Sequence, residues 1–137
     1  MRAYFDSSSL AKRYIKESGS VEILTILRTA EEIFTSILST PELLSAFNRL
    51  RRSKHLSNSL YETIKRELHD DISHLNIIEI SNDVVTKTIE CLETASIRAS
   101  DAIHISSAMI TACNYFISSD KKQAEAAKSL GLKVKLI

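Results

Sequence analysis

Four acidic residues stand apart from the other charges of this chain: Asp6, Glu42, Asp101 and Asp120. Each falls where a helix is predicted to begin, and for three of them the preceding segment reads as a strand. Asp6 follows Arg2-Ala3-Tyr4-Phe5 and opens Ser7-Ser8-Ser9-Leu10, while Glu42 lies in Ser39-Thr40-Pro41-Glu42-Leu43, just after Ile33-Phe34-Thr35-Ser36. Asp101 sits in Arg98-Ala99-Ser100-Asp101-Ala102, and Asp120 in Phe116-Ile117-Ser118-Ser119-Asp120. In a parallel α/β sheet all strand-to-helix junctions lie on one edge, which is where such folds place their sites. Acids far apart in sequence would then meet in space. A group of carboxylates with few neutralising partners suits a hard divalent cation.

Each acid also fits a plainer role. Asp6 could cap a helix, as could Asp120 paired with Gln123; Glu42 could close a capping box with Ser39, and Asp101 could complement a helix dipole. Ser, Thr and Asn serve equally well as caps and are abundant here, yet a carboxylate recurs at each of these junctions. Two unit charges about 4 Å apart repel by roughly 4 kcal/mol at an effective dielectric near ~20. Converging acids therefore need cations or protons, which favours metal binding over capping alone.

The elements that must position these residues alternate between two periods. Residues 2–5 read as a buried strand, followed by Leu10, Ala11, Tyr14 and Ile15 at helical spacing up to Gly19. A second helix carries Val21, Leu24, Leu27 and Ala30, and a strand spans 33–36. The third helix, with its Ser39–Glu42 start, has the stripe Leu43, Phe47 and Leu50; the fourth has Leu60, Ile64, Leu68, Ile72 and Leu75. A strand at 76–80 leads to a Ser81-capped helix with Val85, Thr88, Ile89 and Leu92, and Ser100 starts another with Ala102, Ile105, Met109 and Ala112. Residues 115–118 form a strand, Asp120–Leu130 a helix stopped by Gly131, and Leu132, Val134 and Leu136 alternate as a last strand. The order predicts a three-layer α/β/α sandwich around a central, mostly parallel sheet of about five strands, with seven helices.

At 137 residues, 44% apolar and 26% charged, the chain is expected to be one soluble domain spanning 1–137. No apolar run approaches the roughly 20 residues of a membrane span, and the first residues lack a signal-peptide pattern, so the expected location is cytoplasmic. Cys91 and Cys113 give neither a disulfide framework nor zinc spacing. A net charge of +1, from 18 basic and 17 acidic residues, argues against nonspecific coating of nucleic acid. It leaves room for a local basic rim. Four histidines form no zinc-ligand pattern; His104, one turn from Asp101, could contact it but reads as a packing or hydrogen-bonding residue. Ser7-Ser8-Ser9 lacks the glycines of a phosphate-binding loop.

At the four acids the sequence resembles a PIN domain, and within that family a VapC-type toxin ribonuclease. The resemblance rests on Asp6-Ser7-Ser8 after a short strand, and on Ser36 to Glu42 continuing into Leu43-Leu44-Ser45-Ala46. It rests equally on Asp101-Ala102-Ile103-His104 opening a helix rich in small residues, and on Ser118-Ser119-Asp120 followed by an Ala-rich helix and Gly131-Leu132-Lys133-Val134. Serines at 7 and 118 replace the family's more usual threonines and keep the hydroxyl. The match runs in order from residue 3 to residue 134. It implies Mg²⁺-dependent hydrolysis of RNA, with Mn²⁺ able to substitute. Asp6 and Asp101 would be direct ligands, Glu42 and Asp120 would complete the cluster, and Ser8 and Ser118 would orient a ligand or water. Candidates for RNA contact are Arg13, Arg49, Arg98 and Lys121. A small cognate antitoxin and a homodimer are the implied protein partners. A response-regulator receiver would show an acidic pair after the first strand, and an aspartyl phosphatase an Asp at position 8, where Ser8 stands. The remaining alternatives keep the fold: an RNA-processing nuclease, or a non-catalytic RNA-binding or scaffold PIN domain.

Overall fold

Residues Arg2–Phe5 form β1, the middle strand of a five-stranded sheet of order β3-β2-β1-β4-β5 in a computed structural model that describes residues 1–137. The other strands are β2 (Glu32–Ser36), β3 (Asn76–Ile78), β4 (Tyr115–Ser118) and β5 (Val134–Leu136). All four pairings are parallel, with Phe5 opposite Ile117 across β1 and β4. Seven helices connect them: α1 (Ser7–Tyr14), α2 (Ser20–Thr29), α3 (Ser39–Arg52), α4 (Asn58–Ile72), α5 (Asn82–Thr94), α6 (Ala99–Thr111) and α7 (Lys121–Ser129). The predicted three-layer α/β/α architecture is the one observed.

Alternation along β1 sends its side chains to two cores. Ala3 and Phe5 join Leu10, Ile23, Leu43, Phe47, Ile64 and Leu68 under α1 to α4. Tyr4 joins Phe34, Phe116, Ala102, Ile105 and Ala127 under α5 to α7, and its ring stacks on Phe116 at 5.5 Å. Fully burying such a side chain is worth about 1.5–3 kcal/mol, so a register slip in β1 would invert both cores.

Several local expectations need correction. On α2 the core residues are Ile23 and Ile26, whereas Val21 is 78% exposed. On α4 Tyr61 takes the place expected of Leu60. On α5 the packed face is Val84, Thr88 and Cys91, leaving Val85, Ile89 and Leu92 outside. In each case two apolar faces competed in the sequence, and docking against the sheet selected one. The capping box at Ser39 does not form: Leu38 occupies the N-cap position in helical geometry, and Ser39 Oγ turns to Thr35 Oγ1 at 2.5 Å. Likewise Arg98, not Ser100, precedes the first residue of α6. Ser57, Ser81, Asp6 and Asp120 do cap their helices.

Candidate active site at the carboxyl edge of the sheet

The strand order reverses between β1 and β4, and ligands in open α/β sheets bind outside the carboxyl ends of strands at such a point. Asp6 follows β1 there and Asp120 follows β4. Glu42 enters from the first turn of α3, after β2, and Asp101 from the first turn of α6.

Asp6 is fully buried. Its Oδ1 accepts from the Ser9 amide and from Ser8 Oγ, both at 2.8 Å, and its Oδ2 accepts from Ser118 Oγ at 2.5 Å. Serines tie the two strand ends together around it: Ser9 Oγ donates to the Ile117 carbonyl, and the Ser119 amide donates to Ser8 Oγ. Ser118 Oγ in turn accepts from the Asp120 amide at 3.0 Å. Ser8 and Ser118, expected to orient a ligand or water, thus both hold Asp6. Burial raises the Asp6 carboxyl above its ordinary range, against the lowering effect of Ser118, the Ser9 amide, His104 and Ser8. None of the ion pairs in the chain includes Asp6. Hydrogen-bond dipoles surround it, without an ion-pair partner.

Glu42 is half-buried and also braced. Its Oε1 accepts from Ser7 Oγ at 3.0 Å and contacts His104 Nε2 at 2.6 Å. Burial pushes its carboxyl upward, but the interaction with His104, then Ser7 and Arg98, outweighs that and leaves it below the ordinary range. His104 reaches Glu42 rather than Asp101, correcting the possible contact within its own helix. Nothing in the sequence announced this pair, which joins residues 62 positions apart.

Asp101 and Asp120 line an open cleft of about 910 Å³ with Arg98, Lys122 and Gln123. Asp120 Oδ1 caps α7 through the Gln123 amide at 3.1 Å. Asp101 is approached by Arg98 Nε at 3.6 Å. As the side chains are arranged, no three Asp, Glu, His or Cys residues stand close enough to enclose a cation. The four acids therefore share an edge without forming a closed cage, because Asp6 is turned into its serines and Glu42 toward His104. The donor set nonetheless suits Mg²⁺, which keeps several waters and takes one or two carboxylates plus substrate phosphates.

The basic candidates separate. Arg98 rims the cleft, where Lys122 rather than its neighbour Lys121 lines the wall. Arg49 and Lys121 are exposed and free of ion pairs. Arg13 instead pairs with Asp71 at 3.4 Å and lines a different hollow beside Tyr14, Leu24 and Leu75. No helix is long and apolar enough to cross a membrane.

Solved structures share this fold. A FitAcB structure from Neisseria gonorrhoeae superposes with a TM-score of 0.75 at 15% identity, covering 96% of this chain and 95% of that one. VapBC2 from Rickettsia felis, bound to a promoter DNA fragment, gives 0.73 at 15% identity over 100% and 99%. VapC20 from Mycobacterium tuberculosis, described as a Sarcin-Ricin loop cleaving toxin, gives 0.69 at 11% identity over 95% of each chain. Comparison with curated proteins gave no match. The sequence profile of the PIN domain matches residues 3–129, almost the whole chain, and with it the protein belongs to the PIN-domain family.

Proposed function

We propose that this protein is a Mg²⁺-dependent endoribonuclease and the toxin of a toxin–antitoxin pair. The observation that carries the nuclease reading is Asp6: a fully buried carboxylate without an ion-pair partner, at the sheet's switch point, on the same edge as Glu42, Asp101 and Asp120. An uncompensated buried charge is expensive, and proteins keep such groups where a cation or proton completes them. Family membership and likeness to VapC and FitB-containing structures support the toxin role.

Asp6 and Asp101 would be the direct ligands of Mg²⁺ or Mn²⁺, and Asp120 Oδ2 and Glu42 Oε2, which accept no protein donor, would complete the cluster. A bound ion would supply a more acidic attacking water and offset charge on the phosphate. The protein's own part is positional. Ser8 and Ser118 fix Asp6, the α7 cap fixes Asp120, and Arg98 with Lys122 attracts the RNA backbone to an otherwise acidic cleft.

The purified protein should cleave RNA with Mg²⁺ or Mn²⁺ and stop when either is chelated, and Asp101→Asn should be inactive but folded. Activity of Asp101→Asn within a few-fold of wild type would reject the site. Expression alone should arrest growth of the host, and co-expression of an adjacent small gene should restore it. The antitoxin would place an Arg or Lys against the carboxylates, arginine being best because its planar fork pairs with carboxylate bidentately. A homodimer in the cytoplasm is the expected state, read by light scattering. Harmless expression of a protein that still cleaves RNA would favour the RNA-processing alternative.

A further inference from the structure

We infer that His104, itself fixed by Tyr4, is a positioning residue that holds Glu42 with one carboxylate oxygen inward and the other free for a cation or its water. The inference rests on the nuclease reading of the same site.

His104 is 2% exposed, and both of its ring nitrogens are engaged. Nε2 meets Glu42 Oε1 at 2.6 Å and Nδ1 meets the Tyr4 hydroxyl at 3.0 Å. A carboxylate oxygen only accepts, so the ring presents Nε2–H to Glu42, while Nδ1 is held by the Tyr4 hydroxyl, a group that both donates and accepts. Burial raises the Tyr4 hydroxyl far above its ordinary range, so it remains a donor. Tyr4 cannot swing away, because it is fully buried, stacked on Phe116 with the rings 9° apart and set edge-on to His104. The relay thus runs from the middle strand of the sheet, through a helix on one side, to a carboxylate at the head of α3 on the other.

Ser7 completes the clamp. It donates to the same Oε1 at 3.0 Å and approaches His104 Nε2 at 3.3 Å. No protein group donates to Oε2, although the side chain is 36% exposed. A glutamate on a helix surface ordinarily spreads over several rotamers, and fixing it in advance spares that entropy when a ligand binds. Partners that orient metal-binding carboxylates typically change metal affinity or activity by about 10–100-fold when removed.

The test compares His104→Gln with His104→Met, two side chains of similar length that differ in whether they carry a donor near the Nε2 position. Mn²⁺ affinity is measured by electron paramagnetic resonance alongside RNA cleavage, with thermal melts to establish folding. His104→Met should bind Mn²⁺ about 10–100-fold more weakly, and saturating Mn²⁺ should restore much of its cleavage rate. His104→Gln should stay within about threefold of wild type in affinity. Tyr4→Phe keeps the ring stack and removes only the hydroxyl, and should weaken Mn²⁺ binding in the same direction by less. Wild-type Mn²⁺ affinity in folded His104→Met, or equal losses in the Gln and Met variants, would overturn the inference. Should neither His variant fold, Tyr4→Phe decides: unchanged affinity there overturns it. A wild-type protein that binds Mn²⁺ and cleaves RNA while His104→Met does both equally well removes only the positioning role. A wild type that does neither removes the nuclease reading as well.

Discussion

Asp6, which follows β1, and Glu42, in the first turn of α3, differ sharply from Asp101, in the first turn of α6, and Asp120, which caps α7. Three donors converge on Asp6, and Ser7 with His104 grips Glu42. Asp120 receives one backbone amide, and Asp101 only the approach of an 84% exposed arginine. One half of the edge holds each carboxylate by two or more side-chain or backbone donors, so both are oriented before any ligand arrives. The other half lines the cleft with fewer partners on each carboxylate. Carboxylates held by several donors, beside others that leave oxygens open, suit an ion that must hold its place while its substrate changes.

Truncating one acid from each half should give the largest effects. Asn in place of Asp6 or Asp101 should reduce cleavage by about 10³-fold, the order expected when several kcal/mol of electrostatic stabilisation are lost. Alanine should separate the two. Asp6→Ala removes the α1 cap and leaves Ser8 and Ser118 without their acceptor, costing about 2–3 kcal/mol in urea denaturation. Asp101→Ala should change stability by no more than about 0.5 kcal/mol. Equal destabilisation by the two would erase the distinction between a braced and an open half.

Cation binding sharpens the contrast from the other direction. Mg²⁺ at 100 times its dissociation constant should stabilise the folded protein by about 2.7 kcal/mol, read as a rise in melting temperature. Asp101→Asn should lose most of that rise. An unchanged melting temperature across a millimolar titration of the wild type would count against a cation at this edge.

The two braced acids should also respond oppositely to pH when metal is absent. Asp6 has a raised carboxyl, so its contribution to stability is greatest when protonated and falls as pH rises above the ordinary 3.8. Glu42 has a lowered carboxyl, so its contribution is present above the ordinary 4.5 and is lost as pH falls through its folded value. Relative to wild type, Asp6→Asn should gain stability as pH rises toward neutrality, and Glu42→Gln should lose it. Melting curves from pH 3 to 7 with chelator would show the two differences running in opposite directions; parallel trends would contradict the assignment of burial to one and His104 to the other.

How legible this was in the sequence follows the same division. The sheet edge was readable because strand-to-helix order fixes where a junction lies, and Asp6, Glu42 and Asp120 each follow a strand, whereas Asp101 follows α5 and was placed by its helix start alone. Local chemistry also foresaw the Asp120 cap, although Gln123 contributes its backbone amide and not its side chain, because the Asp120 amide donates to Ser118 Oγ instead. The Tyr4–His104–Glu42 relay was not readable. It joins three elements, and an Asp-Ala-Ile-His stretch looks the same whether its imidazole faces Asp101 or another helix. Ser39 illustrates the opposite failure: Ser-x-x-Glu matched a capping box, but Thr35 and Glu42's own partners drew both side chains away. On α5 the exposed Val85-Ile89-Leu92 stripe was as apolar as the buried face, so periodicity alone could not choose between them.

The smallest expected effect lies at the rim and separates two arginines that the sequence ranked together. Arg98 borders the cleft and meets Asp101, so Arg98→Ala should weaken RNA binding a few-fold and leave the rate at saturation nearly unchanged. Because such a contact releases a counterion, the slope of log affinity against log salt should flatten by about 0.7 for single-stranded RNA. Arg13 is committed to Asp71 across α1 and α4, away from the acids, and the pair is partly exposed. Arg13→Ala should leave both RNA affinity and its salt slope unaltered and lower stability by no more than about 1 kcal/mol. Filter binding with a catalytically inactive Asp101→Asn background, at several salt concentrations, measures both variants without cleavage. A salt slope altered by Arg13→Ala and not by Arg98→Ala would move the RNA path off the open half of the edge and onto the α1–α4 face.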